Sequence, residues 1–122
     1  MSSLLDTSVL VDVLRGDRAA VHFVSTLDDV PACSELSRVE VLRGLRSAER
    51  RPAERLFGAI RWIPVDEPIG RLAGELGRKW RRSHALGTVD LVIAATAAQL
   101  DWPLATGNLR HYPMFARLRA PY

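Results

Sequence analysis

One cysteine and one lysine in 122 residues remove several chemistries from consideration. A lone Cys33 closes no internal disulfide and offers no thiolate spacing for zinc, which excludes a disulfide scaffold and a zinc-finger class. Set in Val30-Pro31-Ala32-Cys33, it reads as a small buried hydrophobe in a reducing compartment rather than as a reactive thiol. Long apolar runs are missing too: the longest candidate, Leu91 to Ala98, falls far short of the ~20 residues that span a bilayer. The first helix-like stretch carries Asp6, Asp12 and Asp17 in place of a basic start and an apolar run, so no secretory signal is read. There is no repeat, low-complexity tract or long linker. The expectation is a soluble, cytoplasmic protein folding as one domain over residues 1–122, and 48% hydrophobic content suffices for a core without staples.

The charge balance is mildly basic, 17 Lys plus Arg against 14 Asp plus Glu, and apart from Lys79 the bases are all Arg. Arg78, Lys79, Arg81 and Arg82 cluster before a loop, and Arg43, Arg46, Arg50 and Arg51 end a helix. Such clusters suit phosphate contact. They suit the negative end of a helix dipole, or a GC-rich genome, equally well.

Hydrophobic periodicity predicts alternating strands and helices. A strand over 3–6 leads into a helix over 8–15 that stops at Gly16-Asp17, and a helix over 19–27 precedes a strand over 30–33. Ser34 is expected to cap a helix from Glu35 to about Arg50. Pro52 fits the first position of another short helix. The segment 61–65 reads as a strand whose Pro64 argues for a sheet edge or a strand end. Apolar spacing then predicts a helix over 68–82. Thr88 is expected to cap a helix from Val89 that is apolar around most of its girth, hence central. The segment 102–106 is a last core strand, with Gly107-Asn108 as a turn. Repeated strand–helix order implies a parallel sheet covered on both faces, a three-layer α/β/α fold.

The most informative stretch is Leu4-Leu5-Asp6-Thr7-Ser8, an apolar run that ends abruptly on a carboxylate at the carboxyl edge of the sheet, where ligands sit in open α/β folds. Asp90 opens the central helix; a helix dipole alone accounts for an acid there, yet the helix carries no other charge before Asp101. Glu40 is not singled out by pattern. On a helical wheel Leu36, Val39, Leu42 and Leu45 mark the buried side, and Glu40 falls with Ser37, Arg43, Gly44 and Ser47, as a solvated partner of Arg43 would. In favour of a role, Gly44 lies one turn beyond Glu40 and leaves room for an approaching ligand.

Four segments together carry a resemblance: Leu4-Leu5-Asp6-Thr7-Ser8-Val9, Ser37-Arg38-Val39-Glu40-Val41-Leu42-Arg43-Gly44, the run from Val89 to Ala97, and Ala105 to Tyr112. In this order and spacing they resemble the PIN-domain nucleases, and among those the VapC toxins of bacterial type II toxin–antitoxin systems. The resemblance implies a three-layer α/β/α PIN-like domain with a central, mainly parallel sheet of four to five strands. It implies that Asp6, Glu40 and Asp90 form the acidic triad of a metal-dependent ribonuclease and bind Mg²⁺ or Mn²⁺. Many members add an acid in the turn after the last core strand; here Thr106 to His111 contains no carboxylate. Thr106 is then expected to orient a carboxylate or water, with Ser8 and the Asn108 amide as further support. A second metal would be held weakly or only with substrate. Arg43, Arg82 and His111 are candidate RNA contacts. By the same resemblance, a small VapB-like antitoxin is the expected partner, within a homodimer or a toxin–antitoxin hetero-oligomer. Apolar residues such as Val21, Phe23, Val24, Leu56 and Phe57 either meet a partner or belong to the core.

Three carboxylates in one pocket repel one another and call for a cation, and hard divalent cations prefer oxygen ligands. A metal-free scheme built on His22, His84 and His111 finds no pairing among them. A signalling receiver domain needs a lysine after a late strand, and Lys79 lies well before the last one. The alternative that remains is a catalytically silent PIN-fold module that binds protein only.

Overall fold

Four short strands, β1 (Leu4–Leu5), β2 (Ala32–Ser34), β3 (Arg61–Ile63) and β4 (Leu104–Ala105), form one sheet in the order β3-β2-β1-β4. Every pairing in it is parallel, with Leu4 opposite both Ala32 and Leu104. The computed structural model describes residues 2–81 and 86–122, and among these there are four strands and six α-helices. The helices are α1 (Thr7–Leu14), α2 (Arg18–Ser25), α3 (Glu35–Gly44), α4 (Arg50–Gly58), α5 (Glu67–Trp80) and α6 (Thr88–Leu100).

Strand alternation sends neighbouring residues to opposite faces, and this builds two cores. Leu4, Ala32 and Leu104 pack with Ile69 and Ala73 of α5 and Ile93 and Ala94 of α6. Leu5, Cys33 and Ala105 pack with Val9 and Leu10 of α1, Ala53 and Phe57 of α4. Helices thus cover both faces, the three-layer arrangement expected of a parallel sheet. β3 lies at the edge, with Pro64 just past its end, so no ladder hydrogen bond is lost. Six consecutive residues of α6, Val92 to Ala97, are buried, and the Thr96 hydroxyl is satisfied by donating to the Val92 carbonyl at 2.7 Å.

Several expectations are corrected. The helix begun at Ser34 ends at Gly44, not near Arg50; Leu45 turns extended, and the Arg46 N–H bonds the Glu49 carboxylate at 2.9 Å to start a short 3-10 turn, Ser47–Glu49. The next helix opens at Arg50, so Pro52 is its third residue rather than its first. Thr88 is not a cap: Gly87 occupies that position without a side-chain hydrogen bond, and Thr88 is already helical. The wheel of α3 is rotated from the expected one. Ser37 and Val41 are buried, whereas Val39 and Leu42 are 56% and 43% exposed. Of the apolar residues offered for a partner, Val21 is exposed, Phe57 is core, and Phe23, Val24 and Leu56 are half-buried against the second core.

Cys33 is fully buried, and burial pushes its thiol well above the ordinary range. Native protein is therefore expected to resist iodoacetamide in mildly alkaline buffer and to react on unfolding. Mass spectrometry reads the difference, and rapid labelling of the folded state would contradict it. Among the described residues, no helix is long and apolar enough to cross a membrane.

Candidate active site

Asp6 follows β1 directly and caps α1, accepting the Thr7 N–H on Oδ1 at 2.8 Å. It is 2% exposed, and three hydroxyls reach it as well. Ser8 and Thr106 donate to Oδ2 at 2.9 and 2.6 Å, and Tyr112 donates to Oδ1 at 2.9 Å. Two of these hydroxyls are themselves held by the turn after β4: the Gly107 N–H bonds Ser8 Oγ at 3.2 Å, and the Asn108 N–H bonds Thr106 Oγ1 at 2.9 Å. The turn and the end of β1 are thereby locked together around one carboxylate. Two donors on each oxygen fix the orientation of this carboxylate.

Glu40 reaches the same place from α3. The rotation of that helix turns Glu40 inward beside buried Ser37, and the Thr7 hydroxyl lies 2.6 Å from Glu40 Oε1 and 3.0 Å from Ser37 Oγ. A Cβ built at Gly44 would meet nothing within 4 Å, so the space beyond Glu40 is open.

Asp90 arrives in the first turn of α6, its side chain 22% exposed, with Oδ2 3.0 Å from His111 Nδ1. Burial is the largest influence on it and raises its pKa; His111 pulls it down, and the Asp6 and Glu40 charges raise it further. Tyr112 OH stands 3.4 Å from Asp90 Oδ1. Burial, followed by the charges of Asp6 and Asp90, pushes the phenol pKa far up, so Tyr112 remains a hydrogen-bond donor.

A cleft of about 350 Å³ brings Asp6, Glu40 and Asp90 together with Ser8, Asn108 and His111. Thr106 lies buried beneath it. Arg43 is exposed on α3 outside the lining, and Arg82 and His84 fall outside the described residues. His22 lies exposed on α2 and is not part of this lining. Three site residues escaped the sequence reading: Thr7, which lines the cleft and bonds Glu40; Asp12; and Tyr112. Asp12 lines the cleft one helical turn after Ser8, a spacing that marks it in hindsight, and it accepts the Tyr122 hydroxyl at 2.6 Å. Tyr112 has no such signal.

Among the described residues, no three His, Cys, Asp or Glu side chains form a ready-made metal cage. Mg²⁺ does not need one, since it keeps several waters and uses one or two carboxylates together with phosphate oxygens. The donor set facing the cleft fits a hard divalent cation: carboxylate, hydroxyl and amide oxygens, with the charge on Asp90 opposed by its acidic neighbours.

A PIN-domain family model matches residues 3–119. Ribonuclease VapC19 of Mycobacterium tuberculosis is 44% identical over 123 residues, covering 98% of this chain and 98% of that protein. Ribonuclease VapC10 of the same organism is 45% identical over 122 residues, covering 98% of this chain and 92% of its own. Among solved structures, a toxin–antitoxin complex from Klebsiella pneumoniae superposes with a TM-score of 0.85 at 22% identity, covering 98% of both chains. That likeness concerns the fold.

Proposed function

We propose, from the premise that the chain belongs to the PIN-domain family, that it is a VapC-type toxin: a divalent-metal-dependent endoribonuclease neutralised by a VapB-like antitoxin. The observation that carries this reading is the meeting of Asp6, Glu40 and Asp90, drawn from three distant segments, in one cleft at the carboxyl edge of the sheet.

Asp6, Glu40 and Asp90 would hold Mg²⁺, with Mn²⁺ as a substitute. When bound, such a cation lowers the pKa of water in the site, offsets charge on the transferring phosphate and assists the leaving oxygen. The chain's own groups prepare that chemistry. The four donors on Asp6 keep its carboxylate from swinging, and Thr7 does the same for Glu40. Asp90, strained by burial and by its acidic neighbours, gains most from added positive charge. His111 engages Asp90 through Nδ1 and is half exposed, which leaves the rest of its ring at the cleft mouth to meet RNA phosphate, and Arg43 and Arg82 are further RNA contacts in this reading. The turn after β4 offers the Asn108 amide where an acid would bind a second cation, so that cation is held only weakly or with substrate. Products carry a 5′-phosphate and a 3′-hydroxyl. The protein works in the cytoplasm as one domain over residues 1–122, in a homodimer or a toxin–antitoxin hetero-oligomer.

Sequencing of RNA ends after induction of wild type beside Asp90→Asn tests this reading and identifies the target together. New 5′-phosphate ends are expected with wild type alone. Identical end profiles in the two strains, or cyclic 2′,3′-phosphate products from purified protein, would reject it.

A further inference from the structure

We propose that Tyr112 is a positioning residue that sets the spacing of Asp6 and Asp90, an inference that rests on reading their cleft as a cation site. Among the described residues, Tyr112 is the one side chain whose hydroxyl lies within hydrogen-bond reach of both carboxylates: its single proton is directed at Asp6 Oδ1 at 2.9 Å and shared with Asp90 Oδ1 at 3.4 Å. It is 1% exposed and takes no part in the cleft lining, so it reaches the acids from the interior side and leaves their open side to the cleft. Its ring direction is set by packing: it stacks on Phe115 with centroids 6.4 Å apart and planes 23° apart, and it belongs to the core beside α6.

The two acids depend on this hydroxyl unequally. Asp6 keeps the Thr7 N–H, Ser8 and Thr106 without it. Asp90 keeps His111, whose side chain is 50% exposed. Like charges at close range repel, and among the described residues no hydrogen bond other than the phenol's opposes a swing of Asp90 toward solvent from its buried side. A cation bridging the pair must then first bring them together again. Groups that orient metal-binding carboxylates from behind typically change metal affinity by about 10–100-fold when removed. The contact spans 106 residues of sequence and joins the end of β1, the start of α6 and the segment after β4 through one oxygen.

Tyr112→Phe removes the hydroxyl and keeps the ring, so packing alone predicts no change. The test is Mn²⁺ titration of purified protein without RNA, followed by electron paramagnetic resonance. Positioning predicts Mn²⁺ binding weakened by about 10-fold. The Mn²⁺ dependence of cleavage should shift to higher concentration by the same factor, with the rate at saturating Mn²⁺ near that of wild type. Unchanged Mn²⁺ affinity would overturn the positioning role and leave the nuclease reading standing. A wild type that neither binds Mn²⁺ nor cleaves RNA would overturn both. Should Tyr112→Phe fail to fold, the phenol C–O band in the infrared difference spectrum of a Tyr122→Phe protein reads the same contact, since the chain has 2 tyrosines and its tryptophans carry no such bond. A change on Mn²⁺ addition supports the role, and a silent spectrum overturns it.

Discussion

Asp6→Asn is expected to lower RNA cleavage by roughly 10³-fold or more while the chain remains folded. A cation that activates water and offsets phosphate charge supplies several kcal/mol of barrier reduction, and each ~1.4 kcal/mol is a factor of ten. Asn halves the acceptor capacity of the group and removes the charge that holds the cation. The substitution also has a structural cost. All four donors around Asp6 point at acceptor positions, and the new amide N–H₂ faces two of them. A mispaired buried polar group costs about 1–3 kcal/mol, against which relief of repulsion from Asp90 and Glu40 works in the opposite direction. Cleavage by the purified variant, beside its circular-dichroism melting curve, separates the two effects. Normal turnover by a folded Asp6→Asn protein would remove Asp6 from the site.

The second large effect is on thermal stability. Mg²⁺ at about 100 times its dissociation constant should stabilise the native state by about 2.7 kcal/mol, which for a domain of this size raises Tm by roughly 10 °C. Asp90 gives the effect a pH dependence. Its native pKa is raised, chiefly by burial, so its proton binds more tightly in the folded chain than in the unfolded one. The stability this contributes is fully present below the unfolded pKa and is lost as pH rises through the native value. At neutral pH the ionised group therefore opposes folding beside Asp6 and Glu40. The Mg²⁺ shift should be largest there and shrink on acidification, as protons compete for the same oxygen. Asp90→Asn should melt higher than wild type without Mg²⁺ and respond little to it. Scanning fluorimetry across pH checks the pattern, and a full Mg²⁺ response in Asp90→Asn would contradict it.

The parts of the site visible in sequence are those where local pattern and tertiary role coincide. Asp6 stands out because an apolar run buried on both sheet faces stops at it, and β1 ends one residue before it. Asp90 is visible because α6 is too apolar to be superficial. The same alternation that separates Leu4 from Leu5 carries the three-layer fold. Glu40 was obscured because a helical wheel weighs apolar side chains. α3 instead turns Ser37 and Val41 inward, using a contact between the Ser37 and Thr7 hydroxyls, and leaves Val39 and Leu42 outside. What identified Glu40 was the order of four motifs, not its own surroundings. Tyr112 could not be found from spacing, because its function depends on the turn after β4 folding back onto β1. The cap of α6 falls on Gly87 rather than on the expected Thr88, since both residue types favour such positions and geometry alone separates them.

The central claim is that Asp6, Glu40 and Asp90 share one divalent cation. Anomalous diffraction from crystals grown with Mn²⁺ tests it most directly. A single strong peak is expected in the cleft between Asp6 and Asp90, with Glu40 reaching it directly or through water. A peak elsewhere on the protein, or an ordered cleft without one at saturating Mn²⁺, would contradict the account.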